Sequence, residues 1–289
     1  MKDNGLLVQY FNANTPADQT LWAKAAKDAA TLKKLGATAV WFPPATKGAA
    51  GKDDRGYAPY DLYDLGEFNQ KGSVGTRYGT KKEYLEAIDA MKAQGINVYA
   101  DIAVRQKLGA DSVEKVTAAD FNAKDIPQMI GNKKIVGALS KFTFPGRKSK
   151  YSKFKWNWNH FAGIDWQQDD FKRRVCELSG MTEMEAEKKY KLSKYDYIIG
   201  SELDLYNQEV YDELMAWAKW YENVTGVDGF RFQEAEKIPG WFIRDFAEAA
   251  SNAGEEEKEI FTVGDFWHWR CDYINDYIAS ADNQPSMFD

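Results

Sequence analysis

The chain has 289 residues, of which 44% are hydrophobic and 28% are charged, a composition typical of globular proteins and unlike that of disordered chains. Its formal net charge of -6 gives no overall attraction to nucleic acid or anionic lipid, so we expect neither partner. With no long apolar run and no signal-peptide pattern, we expect a cytoplasmic protein and leave a processed secreted form open.

Short β-rich stretches alternate with segments of helical period in the first hundred residues. The predicted elements are strands at 6–10, 39–42 and 97–103 and helices at 21–35 and 81–94. Gly36 and Gly95 follow the two helices and suit the left-handed position that ends a helix. Two such repeats imply parallel strands joined by crossover helices.

The alternation stops after residue 103 and resumes near residue 207. The later predicted elements are helices at 208–224, 241–252 and 269–278 and strands at 227–232 and 260–266. A sixth strand would begin at 286–289. We therefore predict a barrel domain built from 1–103 and 207–289, with 104–206 as an inserted subdomain.

The insertion contains a lysine-rich segment, Arg147 to Lys155, that interleaves with aromatic residues. Such a segment could stack bases and pair phosphates, but a solvated loop with packed rings is the simpler interpretation. The two cysteines, Cys176 and Cys271, follow no metal or redox spacing, so we expect a buried free thiol at each.

Several motifs follow one another along the chain in a recognisable order. In chain order they are WFPP at 41–44, GYAPYDLYDLGEFNQKG at 56–72, YGT at 78–80, FPGR at 144–147, DGFR at 228–231 and FTVG at 261–264. These segments closely resemble those of bacterial liquefying-type α-amylases, over essentially the whole chain. The resemblance implies an α/β fold, a (β/α)8 TIM barrel of the α-amylase type, incomplete at the C-terminus, with a subdomain inserted after strand three. It also implies substrates of the α-1,4-glucan class.

The catalytic positions of this family are altered. Retaining glycosidases need a carboxylate nucleophile and a second carboxyl group about 5–5.5 Å away that protonates the leaving oxygen. The strand-four motif G-F-R-x-D-A places Gln233 at the nucleophile position, and an amide is a feeble, uncharged nucleophile. The strand-five motif V-G-E ends here in Asp265, one methylene short, and a misplacement of about 1 Å can cost on the order of 100-fold. The third carboxylate, on strand seven, falls beyond Asp289.

The residue after the nucleophile position is also acidic. Because strand side chains alternate, Glu234 should leave the pocket if Arg231 and Gln233 face it. The family's lysine and histidine after strand four are replaced by Glu236 and Lys237.

The calcium and sugar positions of the strand-three motif D-V-V-x-[ND]-H change as well. Arg105 stands at a calcium-ligand position, and Gln106 replaces a substrate-binding histidine. The A-D-x-D-x-D-H-P run keeps an acidic residue at Glu202 but loses its third aspartate and its histidine. A fixed guanidinium repels calcium and can replace it structurally, so we expect no cofactor and doubt that calcium binds.

Three family residues are retained. Tyr57 matches a ring that stacks on sugar, and Asp101 and Arg231 keep their positions. A structural role is open for each: Tyr57 as a packed turn residue, Asp101 as a cap of backbone amides, and Arg231 as a partner of Asp265 or of the acidic residues at 202 and 204.

These observations support three hypotheses. The first is a catalytically inactive α-amylase homologue that binds an α-glucan or maltooligosaccharide, or has a structural role. The alternative is an active α-1,4-glucan hydrolase or transferase with a rearranged carboxylate set, such as Asp265 with Glu234 or Glu202. The third is an assembly subunit, because open barrel edges favour a homo-oligomer or a partner chain that covers them.

Overall fold

The computed structural model describes residues 5–120, 133–169, 172–178 and 199–288. Its strands are β1 (Leu7–Gln9), β2 (Ala39–Phe42), β3 (Lys47–Gly48), β4 (Pro59–Asp61), β5 (Asn97–Ile102), β6 (Gln106–Lys107), β7 (Ser112–Asp120), β8 (Lys134–Lys141), β9 (Phe161–Gln167), β10 (Lys172–Glu177), β11 (Ser201–Leu203), β12 (Gly229–Phe232), β13 (Phe261–Gly264) and β14 (Ser286–Met287). Its α-helices are α1 (Leu21–Lys34), α2 (Lys81–Ala93), α3 (Gln208–Thr225), α4 (Gly240–Ser251) and α5 (Cys271–Ser280).

The main sheet consists of parallel strands in the order β1-β2-β5-β12-β13-β14. Each consecutive pair of these strands is joined by a connection that contains one of the five helices. The strands curl into a half-barrel, as expected of an incomplete (β/α)8 barrel. The predicted parallel β/α repeats are confirmed, and β14 lies where the sixth strand was predicted.

The helix ends follow from local chemistry. Thr80 and Glu83 form a capping box at the start of α2, in which each side chain accepts a hydrogen bond from the other's backbone N–H. Asn207 caps α3 through its side-chain oxygen, which accepts hydrogen bonds from the backbone N–H groups of Glu209 and Val210. Gly36 and Gly95 have positive φ angles of 92° and 65°, as their places after α1 and α2 predict.

In the described ranges, no helix combines the length and apolarity needed to cross a membrane.

Aromatic side chains fill the core between the main sheet and its helices. Trp22 of α1 lies with its ring centroid 5.3 Å from Phe42 of β2 and 4.7 Å from Tyr84 of α2. On α3 and α4, Trp217 and Phe246 pack at 5.6 Å. Much of the chain's aromatic content therefore serves packing.

A second sheet, with strand order β6-β11-β9-β10-β7-β8, is formed within residues 106–203. Its first strand, β6, begins four residues after β5 ends. The second sheet therefore leaves the main sheet at the carboxyl end of β5. Treating 104–206 as a subdomain of its own stays a prediction.

Two expectations of the sequence need correction. Arg147 is not in a solvated loop: it is buried, and its Nε donates a hydrogen bond to the equally buried Asp61 at 2.8 Å. Trp156 of the same region is packed, as predicted. Cys176 is buried, but Cys271 is exposed at the first position of α5, so the prediction of a buried thiol was wrong there.

Candidate functional site

The residues that the resemblance assigns to catalytic positions meet at the carboxyl ends of three neighbouring strands. Asp101 of β5 lies beside Arg231 of β12 in register. Gln233 directly follows β12, and Asp265 directly follows β13. Because parallel strands end at the same edge of a sheet, their carboxyl-terminal residues share one surface, where α/β proteins place their ligand sites.

Arg231 is the centre of this arrangement. Its Nη1 donates to both carboxylate oxygens of Asp101, at 2.9 and 3.2 Å, and its Nη2 donates to Asp265. The guanidinium also lies over the ring of Trp41, 4.7 Å from the centroid. Of the partners considered for Arg231, the structure shows Asp265, and it adds Asp101.

Asp101 is fully buried, and its partners are side chains. The Tyr57 hydroxyl donates a hydrogen bond to it at 2.6 Å. Burial raises the pKa of Asp101, while the Arg231 guanidinium and the Tyr57 hydroxyl act in the opposite direction. Burial, followed by the neighbouring carboxylate, raises the pKa of Tyr57. Side chains therefore take the place of the backbone amides that Asp101 could have capped.

Gln106 holds the loop that carries Tyr57. Its Nε2 donates a hydrogen bond to the Tyr57 carbonyl oxygen at 3.1 Å, and the Gln106 side chain is buried. The amide that replaces the family's histidine thus binds this loop. The Tyr57 ring itself is half-buried.

Gln233 and Glu234 form a turn after β12. The Gln233 backbone N–H donates to the carbonyl oxygen of Ile102 at 3.1 Å, and its side chain is half-buried. Glu234 has a left-handed backbone, with φ of 49° and ψ of 50°. Its Oε2 lies 3.3 Å from Nη2 of Arg105.

The described residues at the calcium positions that the resemblance implies do not suit that ion. At the first of these positions the Arg105 side chain, 3% exposed, carries a positive charge and pairs with Glu234. Glu202, at the other calcium position, lies beside Gln106 in the pairing of β11 with β6. Across the described ranges, no group of three or more His, Cys, Asp or Glu residues is arranged to hold a metal ion. We therefore assign no chemical step to a metal.

Glu236 is a further acidic residue near this site. The sequence identified it only as a replacement of the family's lysine after strand four. Glu236 lies with Lys237 in a single 3-10 turn, Ala235–Lys237. Burial raises the pKa of Glu236; Glu234 and Asp265 add to this, whereas Lys237 opposes it. Its Oε2 is buried and has no hydrogen-bond partner among the residues that the structure describes. The signal in the sequence was an acidic residue four residues after a buried strand.

Comparisons with known proteins agree with this fold. No family model matches the chain. It is 43% identical over 288 residues to an α-amylase of Geobacillus stearothermophilus, covering 99% of this chain and 52% of that protein. It is 39% identical over 288 residues to a glucan 1,4-α-maltohexaosidase of Bacillus sp. (strain 707), covering 99% of this chain and 55% of that protein. A crystal structure of an Anoxybacillus α-amylase shares the fold, with a TM-score of 0.56 and 17% identity over 96% of this chain and 49% of that one.

The fold and the ordered motifs define an α-amylase-like protein of the glycoside hydrolase class. The chain is a homologue of the bacterial α-amylase family and spans about half the length of the curated relatives it matches.

Proposed function

We propose that this chain is an α-glucan-binding homologue of the α-amylases that does not hydrolyse its ligand. Gln233 carries the proposal, because it directly follows β12, and the sequence motif predicts the family's nucleophile at this residue. A carboxamide does not form the glycosyl ester of a retaining mechanism, and it supplies no negative charge to an oxocarbenium ion.

The environment of Asp265 supports the same proposal. An acid/base residue must transfer a proton to and from the leaving oxygen. Here the Asp265 carboxylate accepts a hydrogen bond from Arg231, and the same guanidinium binds Asp101. Asp265 is therefore part of an ion-pair network that serves the packing of the sheet edge.

The rearranged-carboxylate alternative is less well supported. It requires Asp265 to act with Glu234 or Glu202. Glu234 is paired with Arg105, a different guanidinium from the one that holds Asp265. Glu202 lies on β11 of the second sheet. Two of the three carboxylates thus have arginine partners that stabilise them as structural groups.

An α-glucan is the ligand class that the surroundings favour. The Tyr57 ring is half-buried with its hydroxyl fixed on Asp101, so it is held as a rigid flat surface. Aromatic rings of this kind pack against the apolar faces of sugars. One relative is named for its action on a 1,4-α-linked glucan, which points to the same ligand class here.

Calorimetric titration with maltoheptaose tests the binding. We expect heat from the unmodified chain and none from Tyr57→Ala. The matched control is Tyr151→Ala, which removes an exposed tyrosine whose hydroxyl binds Glu67, and it should bind like the unmodified chain. Absence of binding at millimolar sugar contradicts the proposal.

A chromogenic maltooligosaccharide tests the absence of hydrolysis. We expect no release of the chromophore after long incubation. Release that Asp265→Asn abolishes would overturn the non-hydrolytic assignment and favour the rearranged carboxylate set.

A further inference from the structure

Lys47 lies at the base of the hairpin that carries Tyr57. It is the first residue of β3 and pairs with Asp61 of the antiparallel strand β4. Further into the hairpin, the Ala49 backbone N–H donates a hydrogen bond to the Ala58 carbonyl oxygen at 2.8 Å. Tyr57 directly precedes Ala58, so the groups that hold this hairpin also hold the ring of the proposed glucan contact.

The Lys47 ammonium is enclosed by oxygen atoms of a single loop, residues 64–75. The Lys47 side chain is 0% exposed, and its Nζ lies 3.6 Å from a carboxylate oxygen of Asp64. The Nζ also faces four backbone carbonyl oxygens at hydrogen-bonding distance, those of Phe68 at 3.2 Å, Ser73 at 2.8 Å, Val74 at 2.6 Å and Gly75 at 3.4 Å. Carbonyl oxygens arranged in this way replace the hydration shell of a cation. We call these oxygens the oxygen cage.

Asp64 supplies the negative charge of the oxygen cage. Its side chain is 0% exposed, and its Oδ2, which faces Lys47, also accepts a hydrogen bond from Gln70 Nε2 at 3.0 Å. Its Oδ1 accepts hydrogen bonds from three backbone N–H groups of the same loop, those of Gly66, Glu67 and Phe68. One buried carboxylate therefore orders the start of the loop and binds the ammonium, and loss of the ammonium would remove its ion pair.

The loop in turn packs against the hairpin that carries Tyr57. Gly51 has a φ angle of 59°, and a Cβ atom at this position would lie 2.2 Å from the Lys71 carbonyl oxygen. Directly after the loop, the Tyr78 hydroxyl donates a hydrogen bond to the Arg55 carbonyl oxygen at 2.9 Å. The segment that the Lys47 ammonium orders therefore supports the hairpin on the way to Tyr57.

We infer that loop 64–75 is a cation-binding cage whose resident cation is the Lys47 ammonium, and that Lys47 is thereby a positioning residue for Tyr57. The oxygen cage recognises a positive charge that carries N–H donors. Its ligand class is therefore a primary alkylammonium ion, which the chain supplies from its own side chain. The role at Tyr57 rests on the proposed glucan binding, whereas the cage itself does not.

Thermal unfolding of Lys47→Ala tests the oxygen cage. The variant removes the ammonium beside the buried Asp64 carboxylate, so Tm should fall by about 5 °C or more. Propylammonium chloride supplies the atoms that the variant lacks and should restore part of this loss, because a ligand that binds the folded state raises Tm. Tetramethylammonium chloride at the same concentration has the same charge but no N–H donor, so it should restore none.

Two control variants make the rescue specific. Lys47→Met keeps a long side chain in the space beside the carbonyls, so it should also lose stability but should not respond to propylammonium. Lys82→Ala breaks an exposed pair with Glu86 and should change Tm by no more than about 1 °C.

The rescue remains decisive if Lys47→Ala is unfolded in plain buffer. Circular dichroism should then show recovery of the folded chain in propylammonium and not in tetramethylammonium. An equal response to both ions, or no response to propylammonium, would overturn the assignment of the cage.

Maltoheptaose titration of Lys47→Met, below its Tm, tests the positioning role. Affinity should fall by about 10-fold, because the sugar must then order the Tyr57 hairpin as it binds. Hydrogen exchange at residues 49–58 should be faster than in the unmodified chain and in Lys82→Ala. Unchanged affinity or unchanged exchange would overturn the positioning role. If the unmodified chain binds no maltoheptaose, the glucan proposal fails alone, because the propylammonium rescue still decides whether the cage exists.

Discussion

Replacing Arg231 with methionine should destabilise the chain more than the loss of any exposed ion pair. Arg231 donates hydrogen bonds to Asp101 and Asp265 from a side chain that is only 8% exposed. Methionine is also long and unbranched, so it can fill much of the space beside Trp41. The stability lost in the Arg231→Met variant is then mainly electrostatic.

The magnitude follows from the burial of the two carboxylates. The Asp101 side chain is 0% exposed, whereas that of Asp265 is 17% exposed and can regain some hydration. Removing one partner of a buried ion pair costs about 3–5 kcal/mol in the free energy of unfolding. We expect a loss within this range near neutral pH, most of it from Asp101.

The loss should depend on pH. Burial already raises the pKa of Asp101, and Arg231 opposes this rise. Without Arg231 the pKa rises further, so folding disfavours the ionised form. The unfolded chain then releases this proton at lower pH than the folded chain does, and stability falls as pH rises between the two pKa values. The variant should therefore lose less at about pH 5 than at about pH 7.

Urea unfolding at the two pH values measures this difference. The Asp101→Asn variant provides the control background, because it removes the charge that Arg231 compensates. We expect Arg231→Met to cost less in that background. A loss below about 1 kcal/mol, or an equal loss in both backgrounds, would refute the ion-pair explanation.

Three other predictions follow from the same structure. Burial lowers the pKa of Lys107 to about 7, and its ammonium lies 5.1–5.6 Å from three aromatic ring centroids. Lys107→Met should raise the free energy of unfolding by about 2 kcal/mol near pH 6; urea unfolding should show this gain shrinking above pH ~7, where the folded chain carries the neutral amine. Because the pKa of Glu236 is raised, Glu236→Gln should raise Tm more at pH ~7 than at pH ~4, where Glu236 is mostly protonated in the unfolded chain as well. We propose that another copy or a partner chain covers the edges that β1 and β14 form in the described sheet, because unpaired strand edges favour association; light scattering should then find an oligomer or a complex, and a well-behaved monomer without a partner contradicts this.

Local sequence signals were sufficient to predict the strands and helices of the main sheet, but not the strands of the second sheet. The periods of α1 and α2 and the glycines after them defined two β/α repeats, and positive φ angles at Gly36 and Gly95 confirm the helix ends. The collinear motifs placed Gln233 and Asp265 after β12 and β13, where the structure has them. Each of these features is encoded within a few residues of sequence.

The contacts within the site were harder to predict because they join distant segments. The Arg231 pair with Asp101 depends on the register of β12 against β5, and those residues are 130 positions apart in the chain. The partner of Glu234 depends on a left-handed turn that strand alternation does not anticipate. Burial of Arg147 likewise depends on Asp61, which lies in β4, 86 positions earlier in the chain.

Intact-mass spectrometry of the chain after incubation with an activated fluorinated maltooligosaccharide tests the central claim most directly. With a carboxamide at Gln233, the mass should stay unchanged, because no glycosyl ester forms. A mass increase of one glycosyl unit, located on any side chain of this protein, would contradict the account.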